Sequence, residues 1–287
     1  MRYTALSTSA FVPRSVVQSE QNLSKKIEEQ KGLLTWTFAA SIIAQVVTLI
    51  LSIVALTQAT FPENDDPWNA LLFVLLLETI VQGIELVWYV VVVVQYASTK
   101  RASRENVVDV SARYLDWIFT TPTMLVSIFF LLQYLHNDCT TTTDVANSRD
   151  FWPRILVVVL FNAAMLFLGY ATESAWGRSQ FPQLQTGWVP KIAGYAFFAA
   201  AMVPLWVLAF EQRSNTGVAL VVITTIVWLV YGVIWNLNFQ EAGDSALVRD
   251  LKDLYKNNGY NLLDIVSKNV TGFIVAVAVW NGAGGVC

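Results

Sequence analysis

The sequence has little charge, one histidine and two cysteines among its 287 residues. Charged residues make up 14% of the chain, against about 25% in a soluble domain. The net charge of −3 excludes a general nucleic-acid binder, which needs a strongly basic face. His136 alone cannot form a His-based metal site or triad, and Cys139 and Cys287 have no disulfide or metal-ligand spacing. With no soluble catalytic domain in the pattern, we expect no enzyme activity.

Apolar residues dominate instead, at 55% of the chain with a mean hydropathy of +0.50. Several apolar runs exceed the roughly 20 residues that cross a bilayer. Because each span must satisfy its own backbone hydrogen bonds in lipid, the runs predict an all-α membrane protein with a bundle of seven transmembrane helices. The predicted spans are 33–59, 68–96, 107–135, 151–175, 189–210, 217–238 and 260–281.

Polar segments precede the first and the last span. Residues 1–31 form a polar N-terminal segment ahead of a transmembrane domain at 32–287, and 15–32 is predicted to be a short amphipathic or frayed helix. Turn residues fill 62–67, and an acidic segment near 241–256 comes before the last span. Of the Lys and Arg residues in the loops and at the ends of the spans, thirteen fall on the N-terminal side of the membrane and three on the other. The positive-inside rule therefore predicts a cytoplasmic N-terminus.

A few ionisable residues fall within the spans, where they are costly and mark candidate functional sites. They are Glu78, Glu85, Arg113, Asp116, Asp264 and Lys268. Lys268 in the last span has two interpretations: a structural ion pair, or a lysine that forms a Schiff base with an aldehyde and needs carboxylate counter-ions. Asp264 precedes Lys268 by four residues and shares its helix face, which supports either interpretation.

Five spans carry motifs that resemble those of microbial (type 1) rhodopsins. The third contains RYLDWIFTTP (113–122) and the seventh DIVSK (264–268). In the sixth, W-x-x-Y-G-x-x-W (228–235) has Gly232 where a proline is common, and in the fourth N-x-x-M-x-x-x-G covers 162–169. Tyr89 of the second span fits the tyrosine near the counter-ion. These motifs follow one another in the same helix order as in that family.

The resemblance implies all-trans retinal attached to Lys268 as a protonated Schiff base. Asp116 would be the primary counter-ion and proton acceptor, Asp264 the second counter-ion, Arg113 a balancing charge, and Thr120 a hydrogen-bond donor to the Asp116 carboxylate. The implied retinal pocket consists of Tyr89, Trp117, Thr121, Met124, Asn162, Met165, Gly169, Trp228, Tyr231 and Trp235. The family also has its N-terminus outside the cell, opposite to the charge count, and we follow the family.

The resemblance supplies only part of an outward proton pump. Asp116 is the acceptor, but the donor position eleven residues later is Ser127. The outer release carboxylate, expected eight residues before Asp264, is Lys256. Pumps with a non-carboxylate donor exist in the family, so the outward proton pump stays as an alternative. A photosensor is a further alternative, although no long signalling tail follows the last span.

Polar stripes favour a channel. Thr37, Ser41, Gln45, Thr48 and Ser52 fall within an arc of about 80° on the first helix. Glu78, Gln82, Glu85 and Tyr89 fall within about 60° on the second. Such stripes face protein or water, and interhelical hydrogen bonding explains the first stripe better than the second.

Ser267-Lys268-Asn269 resembles the lysine motif of cation channelrhodopsins, in which the asparagine meets a second-helix glutamate and a first-helix serine in a central gate. Glu85 fits that glutamate, and Ser41 or Gln45 fits the first-helix member. The residue pair that times closure in algal channelrhodopsins is replaced here by Thr121 and Asn162. The implied ion pathway is Ser41, Gln45, Glu78, Gln82, Glu85 and Asn269. We therefore predict a light-gated channel for protons and monovalent cations, in the plasma membrane and as a homo-oligomer.

Overall fold

The computed structural model describes residues 14–59, 69–102, 110–137, 140–184, 188–238 and 245–281. The cysteines, residues 1–13 and the turn at 62–67 lie outside these ranges. Within these ranges, seven helices are long and apolar enough to cross a membrane, which confirms the predicted all-helical bundle. They are α1 (Arg14–Gln58), α2 (Ala70–Ala102), α3 (Val110–His136), α4 (Phe151–Glu173), α5 (Val189–Glu211), α6 (Asn215–Trp235) and α7 (Ala246–Trp280).

Helices α1 and α7 begin earlier than the predicted spans. The segment at 15–32 is continuous with α1 rather than a separate helix, and α7 begins at Ala246 rather than at 260. The reason is that these turns are amphipathic and pack on each other: Ile27 and Leu34 of α1 share a buried cluster with Leu254 of α7. Their charged outer faces lower the local hydropathy, so a hydropathy argument misses them.

The polar stripe of α1 faces the interior of the bundle and its apolar residues face outward. Ser41, Gln45 and Ser52 are fully buried, whereas Ile43 is 63% exposed. The same reversal holds on α2, where Glu85 is buried and Val87 is 62% exposed. Apolar side chains therefore meet lipid, and the polar side chains meet other helices or water.

A π-helical segment, Ile265–Asn269, interrupts α7 at the lysine. Such segments change the backbone hydrogen-bonding pattern locally and are frequent at functional sites. Here the main-chain carbonyl of Lys268 accepts a hydrogen bond of 3.0 Å from Gln82 Nε2. The interruption thus ties α7 to α2 next to the lysine side chain.

Candidate functional site: a buried lysine and an aromatic pocket

Lys268 lies in a buried cluster of three carboxylates from three helices. Its Nζ is 2.9 Å from Glu85 Oε1, 3.0 Å from Asp116 Oδ2 and 3.5 Å from Asp264 Oδ1. All four side chains are buried, so these charges interact more strongly than they would in water. The structure brings together the predicted lysine and both predicted counter-ions, and it adds Glu85 as a third carboxylate.

Asp264 is fixed by two tyrosines and an arginine. Tyr89 donates a hydrogen bond of 2.6 Å to its Oδ2, and Tyr231 donates one of 2.7 Å to its Oδ1. Arg113 Nη1 lies 3.6 Å from Asp264 Oδ2, where it offsets part of the negative charge. Arg113 also donates to Asn257 and Asn261 of α7, which keeps the guanidinium hydrogen-bonded although it is buried.

Thr120 contacts Asp116 differently from the prediction. Its Oγ1 donates to the main-chain carbonyl of Asp116 at 3.1 Å, not to the carboxylate. Threonine hydroxyls in helices often bond back to the carbonyl four residues earlier, and this local contact satisfies Thr120 here. Asp116 Oδ1 consequently has no hydrogen-bond partner among the described residues.

An aromatic pocket opens next to Lys268 between α3, α4, α5, α6 and α7. Eight predicted pocket residues line it: Trp117, Thr121, Met124, Met165, Gly169, Trp228, Tyr231 and Trp235. The α5 contribution was missed and comprises Gly194, Tyr195 and Phe198. The glycine and aromatic residues of the fifth span could have indicated this contribution. No motif in that span, however, showed which of its residues face the pocket. Other lining residues that were missed are Tyr114, Leu166, Leu229 and Tyr260.

Two predicted pocket residues lie elsewhere. Tyr89 borders a separate small cavity with Arg113, Asp116 and Asp264, which agrees with its hydrogen bond to Asp264. Asn162 is buried behind the pocket, where its Nδ2 donates to Thr121 Oγ1 at 2.9 Å. Asn162 therefore orients a lining residue rather than lining the pocket itself.

Two glycines make room for aromatic rings of the pocket wall. A Cβ on Gly232 would lie 2.8 Å from the Tyr195 ring, and one on Gly169 would collide with the Tyr114 hydroxyl. The lining is mostly apolar and includes Lys268. This chemistry fits an apolar molecule that carries an aldehyde, because the aldehyde would react with the lysine while the apolar part packs between the aromatic rings.

Comparison with known proteins identifies the family. Residues 34–282 match the profile of the bacteriorhodopsin-like protein family. The chain belongs to this family of microbial rhodopsins. Members of the family are light-driven ion pumps, channels or sensors rather than enzymes, and the family implies a retinal chromophore.

Individual relatives of this rhodopsin are distant. The opsin-like protein carO of Fusarium fujikuroi is 26% identical over 181 residues, which cover 59% of this chain and 47% of that protein. The chain therefore matches about half the length of this curated relative.

Solved rhodopsin structures share the fold. The viral rhodopsin OLPVRII is 18% identical with a TM-score of 0.59, covering 87% of this chain and 98% of its own. The proton pump rhodopsin CsR of Coccomyxa subellipsoidea is 19% identical with a TM-score of 0.55, covering 86% and 96%. Bromide-bound halorhodopsin of Halobacterium salinarum is 15% identical with a TM-score of 0.59, covering 88% and 96%.

Buried polar side chains of α1, α2 and α7 lie beside the lysine, and we call them the polar column: Gln45, Ser52, Glu78, Gln82, Glu85 and Asn269. Asn269 Nδ2 donates to Gln45 Oε1 at 3.1 Å and to Gln82 Oε1 at 2.7 Å. Ser41 instead donates to the main-chain carbonyl of Asn261, nearer the start of α7. Of the two first-helix candidates for the constriction, the structure thus brings Gln45 to Asn269, and Ser41 lies one turn away.

The two positions where pump carboxylates were expected contact carboxylates from other helices. Ser127 donates a hydrogen bond of 2.6 Å to Glu78 Oε1 of α2. Lys256 lies 3.7 Å from the buried Glu173 at the end of α4, which also accepts from Tyr260 at 3.2 Å. Sequence reasoning missed Glu173 because it ends an apolar span, where a carboxylate usually faces water.

Proposed function

We propose that this rhodopsin is a light-gated cation channel with all-trans retinal bound to Lys268 as a protonated Schiff base. When bound, retinal supplies an isomerisation driven by light, which changes the proton affinity at the lysine nitrogen. Asp116, Asp264 and Glu85 surround that nitrogen with negative charge and hold its proton. Arg113 offsets part of the charge on Asp264.

The observation that carries the channel proposal is the polar column beside Lys268. Several buried polar atoms of the column have no hydrogen-bond partner among the described residues. They include Gln45 Nε2, Ser52 Oγ, Glu78 Oε2 and Asn269 Oδ1. Buried polar atoms of native proteins are nearly always paired with protein or with water. Water molecules in the column would satisfy these atoms, and a hydrated path is what an ion needs.

The acidic side chains along the column favour protons and cations. Glu78 and Glu85 both face it from α2, and no lysine or arginine pairs with Glu78 among the described residues. We assign the constriction to Gln45, Gln82 and Asn269, with Glu85 beside it, because the Asn269 amide donates to both glutamines. Acidic and carbonyl-lined paths select protons and monovalent cations over anions.

Voltage clamp of a cell that expresses the full chain with added all-trans retinal tests this proposal. A light-evoked current should reverse sign, and its reversal potential should follow the cation gradient when external sodium is replaced. An outward current that persists at every voltage and ignores external sodium would contradict the channel. No current from a coloured protein at the cell surface would favour a photosensor instead.

An outward proton pump is the second candidate, and a specific observation favours it. Asp116 lies 3.0 Å from Lys268 Nζ, close enough to accept its proton directly. Glu78 and Glu173 are buried carboxylates on opposite sides of the lysine. They stand beside Ser127 and Lys256, the positions where the chain lacks the expected donor and release groups.

We also propose the plasma membrane as the location and a homo-oligomer as the assembly. Both follow from the resemblance to microbial rhodopsins. Outward-facing apolar residues such as Ile43 and Val87 supply the lipid-facing or subunit-facing surface that either would need.

A further inference from the structure

Glu78 and Ser127 form an isolated buried pair between α2 and α3. Both side chains are 1% exposed, and the Ser127 hydroxyl donates to Glu78 Oε1 at 2.6 Å. Oε2 of Glu78 has no partner among the described residues. Burial without a cation is very costly for an ionised carboxylate and far less costly for a neutral carboxyl. The geometry suits a group that stores a proton.

The surroundings of the pair carry no charge. Gly272 of α7 lies beside Gln82 and Thr48, and one further turn along each helix brings Ser52 and Ala276 to the level of Glu78. On α3 the facing side chain is Ser127. The nearest charged groups along α2 and α7 in the described structure are Glu85 and Lys268 themselves, about two turns away.

A short polar route connects the pair to Lys268. Glu78 precedes Glu85 by seven residues, so the two are roughly 10 Å apart along α2. Gln82 lies between them, on the same face, and donates to the Lys268 carbonyl. Asn269 bonds to Gln82 on the α7 side. One or two water molecules past these amides would complete a hydrogen-bonded connection.

We propose that Glu78 is the internal proton donor to the Lys268 nitrogen, held in position by Ser127. After light drives the proton from the nitrogen to the carboxylate cluster, the Glu78 O–H bond breaks and its proton bonds to the nitrogen. The Glu78 carboxylate then takes a proton from water at the Ser127 end of the bundle. This proposal rests on the attachment of retinal to Lys268, and it holds for a channel or a pump.

The first test is flash photolysis of the purified full chain loaded with retinal, comparing wild type with Glu78→Gln. An internal donor makes the recovery of the dark absorption nearly independent of pH. In Glu78→Gln the proton must come from solution, so recovery should slow on the order of 100-fold at neutral pH and by about tenfold per further pH unit. Sodium azide, a small weak acid, should restore the rate in Glu78→Gln. Recovery equal to wild type at every pH would overturn the proposal.

Two further variants separate a donor from a structural role. The double variant Glu78→Gln with Ser127→Asp returns a carboxyl to the same contact from α3 and should regain recovery that is independent of pH. A double variant as slow as Glu78→Gln would count against this contact as the donor site. Glu211→Gln, on a half-exposed side chain at the end of α5, is the matched control and should recover like wild type.

A second readout needs no retinal. Infrared spectra of the retinal-free protein should contain a neutral-carboxyl band that disappears in Glu78→Gln and shifts in Ser127→Ala, which removes the hydrogen bond. An unchanged band in both variants would overturn the proposal even if Glu78→Gln failed to bind retinal. A colourless wild-type protein with the expected band would instead contradict the proposed function and leave the stored proton established.

Discussion

At the scale of single residues, Lys268 is the most informative side chain of the molecule. A buried ammonium is tolerated because three carboxylates lie within 3.5 Å of it. Lys268→Ala should abolish visible absorption in retinal-reconstituted membranes, since no amine remains in the pocket. Lys25→Ala, on an exposed side chain of α1, is the control and should stay coloured. A coloured Lys268→Ala protein would refute the attachment site.

Two roles are proposed for Glu85, which lies 2.9 Å from Lys268 Nζ: counter-ion of the lysine and residue of the ion pathway. Glu85→Gln removes a negative charge 2.9 Å from Lys268 Nζ, so the absorption band should move to longer wavelength. It also removes the charge next to the constriction, and the permeability ratio of protons to sodium should change by about threefold or more. Reversal potentials in two proton gradients measure this ratio. Glu29→Gln, an exposed change, should alter neither property, and an unaltered ratio in coloured Glu85→Gln would remove Glu85 from the pathway.

At the scale of helices, the contact between the N-terminal parts of α1 and α7 holds together the two helices on either side of the site. Leu254 is 2% exposed and packs in the cluster with Ile27, Leu34 and Phe38. Leu254→Ala should lower the free energy of unfolding by about 2–5 kcal/mol, because it leaves a cavity between the helices. Leu262→Ala, on the same helix but 51% exposed, should change it far less. Thermal unfolding of both variants in the same detergent compares them, and equal losses would contradict the packing role.

The same contact illustrates what a sequence can predict about helices. Long apolar runs gave all seven spans, and a lone lysine in such a run could be recognised as a site residue. The start of α7 could not be recognised, because alternating charged residues such as Arg249 and Asp250 mask the buried leucines. Nor could the choice between Ser41 and Gln45 be made, since they are one turn apart on one face. Only the offset between α1 and α7 decides which of them reaches Asn269.

At the scale of the whole molecule, the aromatic pocket is the place where five helices contribute side chains to one site. Side chains of α3, α4, α5, α6 and α7 line it, so a molecule that fills it contacts all five at once. A ligand that binds only the folded state stabilises it, by about 2.7 kcal/mol at a concentration 100 times its dissociation constant. Retinal should therefore raise the unfolding temperature by about 5 °C or more.

The comparison ligand for this last prediction is retinol, which has the same apolar shape but cannot form an imine. Retinol should raise the unfolding temperature of the wild type less than retinal does, and in Lys268→Ala the two ligands should act alike. Circular dichroism on heating measures all four combinations in one membrane preparation. If retinal and retinol stabilised the wild type equally, apolar filling of the pocket would account for the whole effect, and covalent attachment at Lys268 would have to be abandoned.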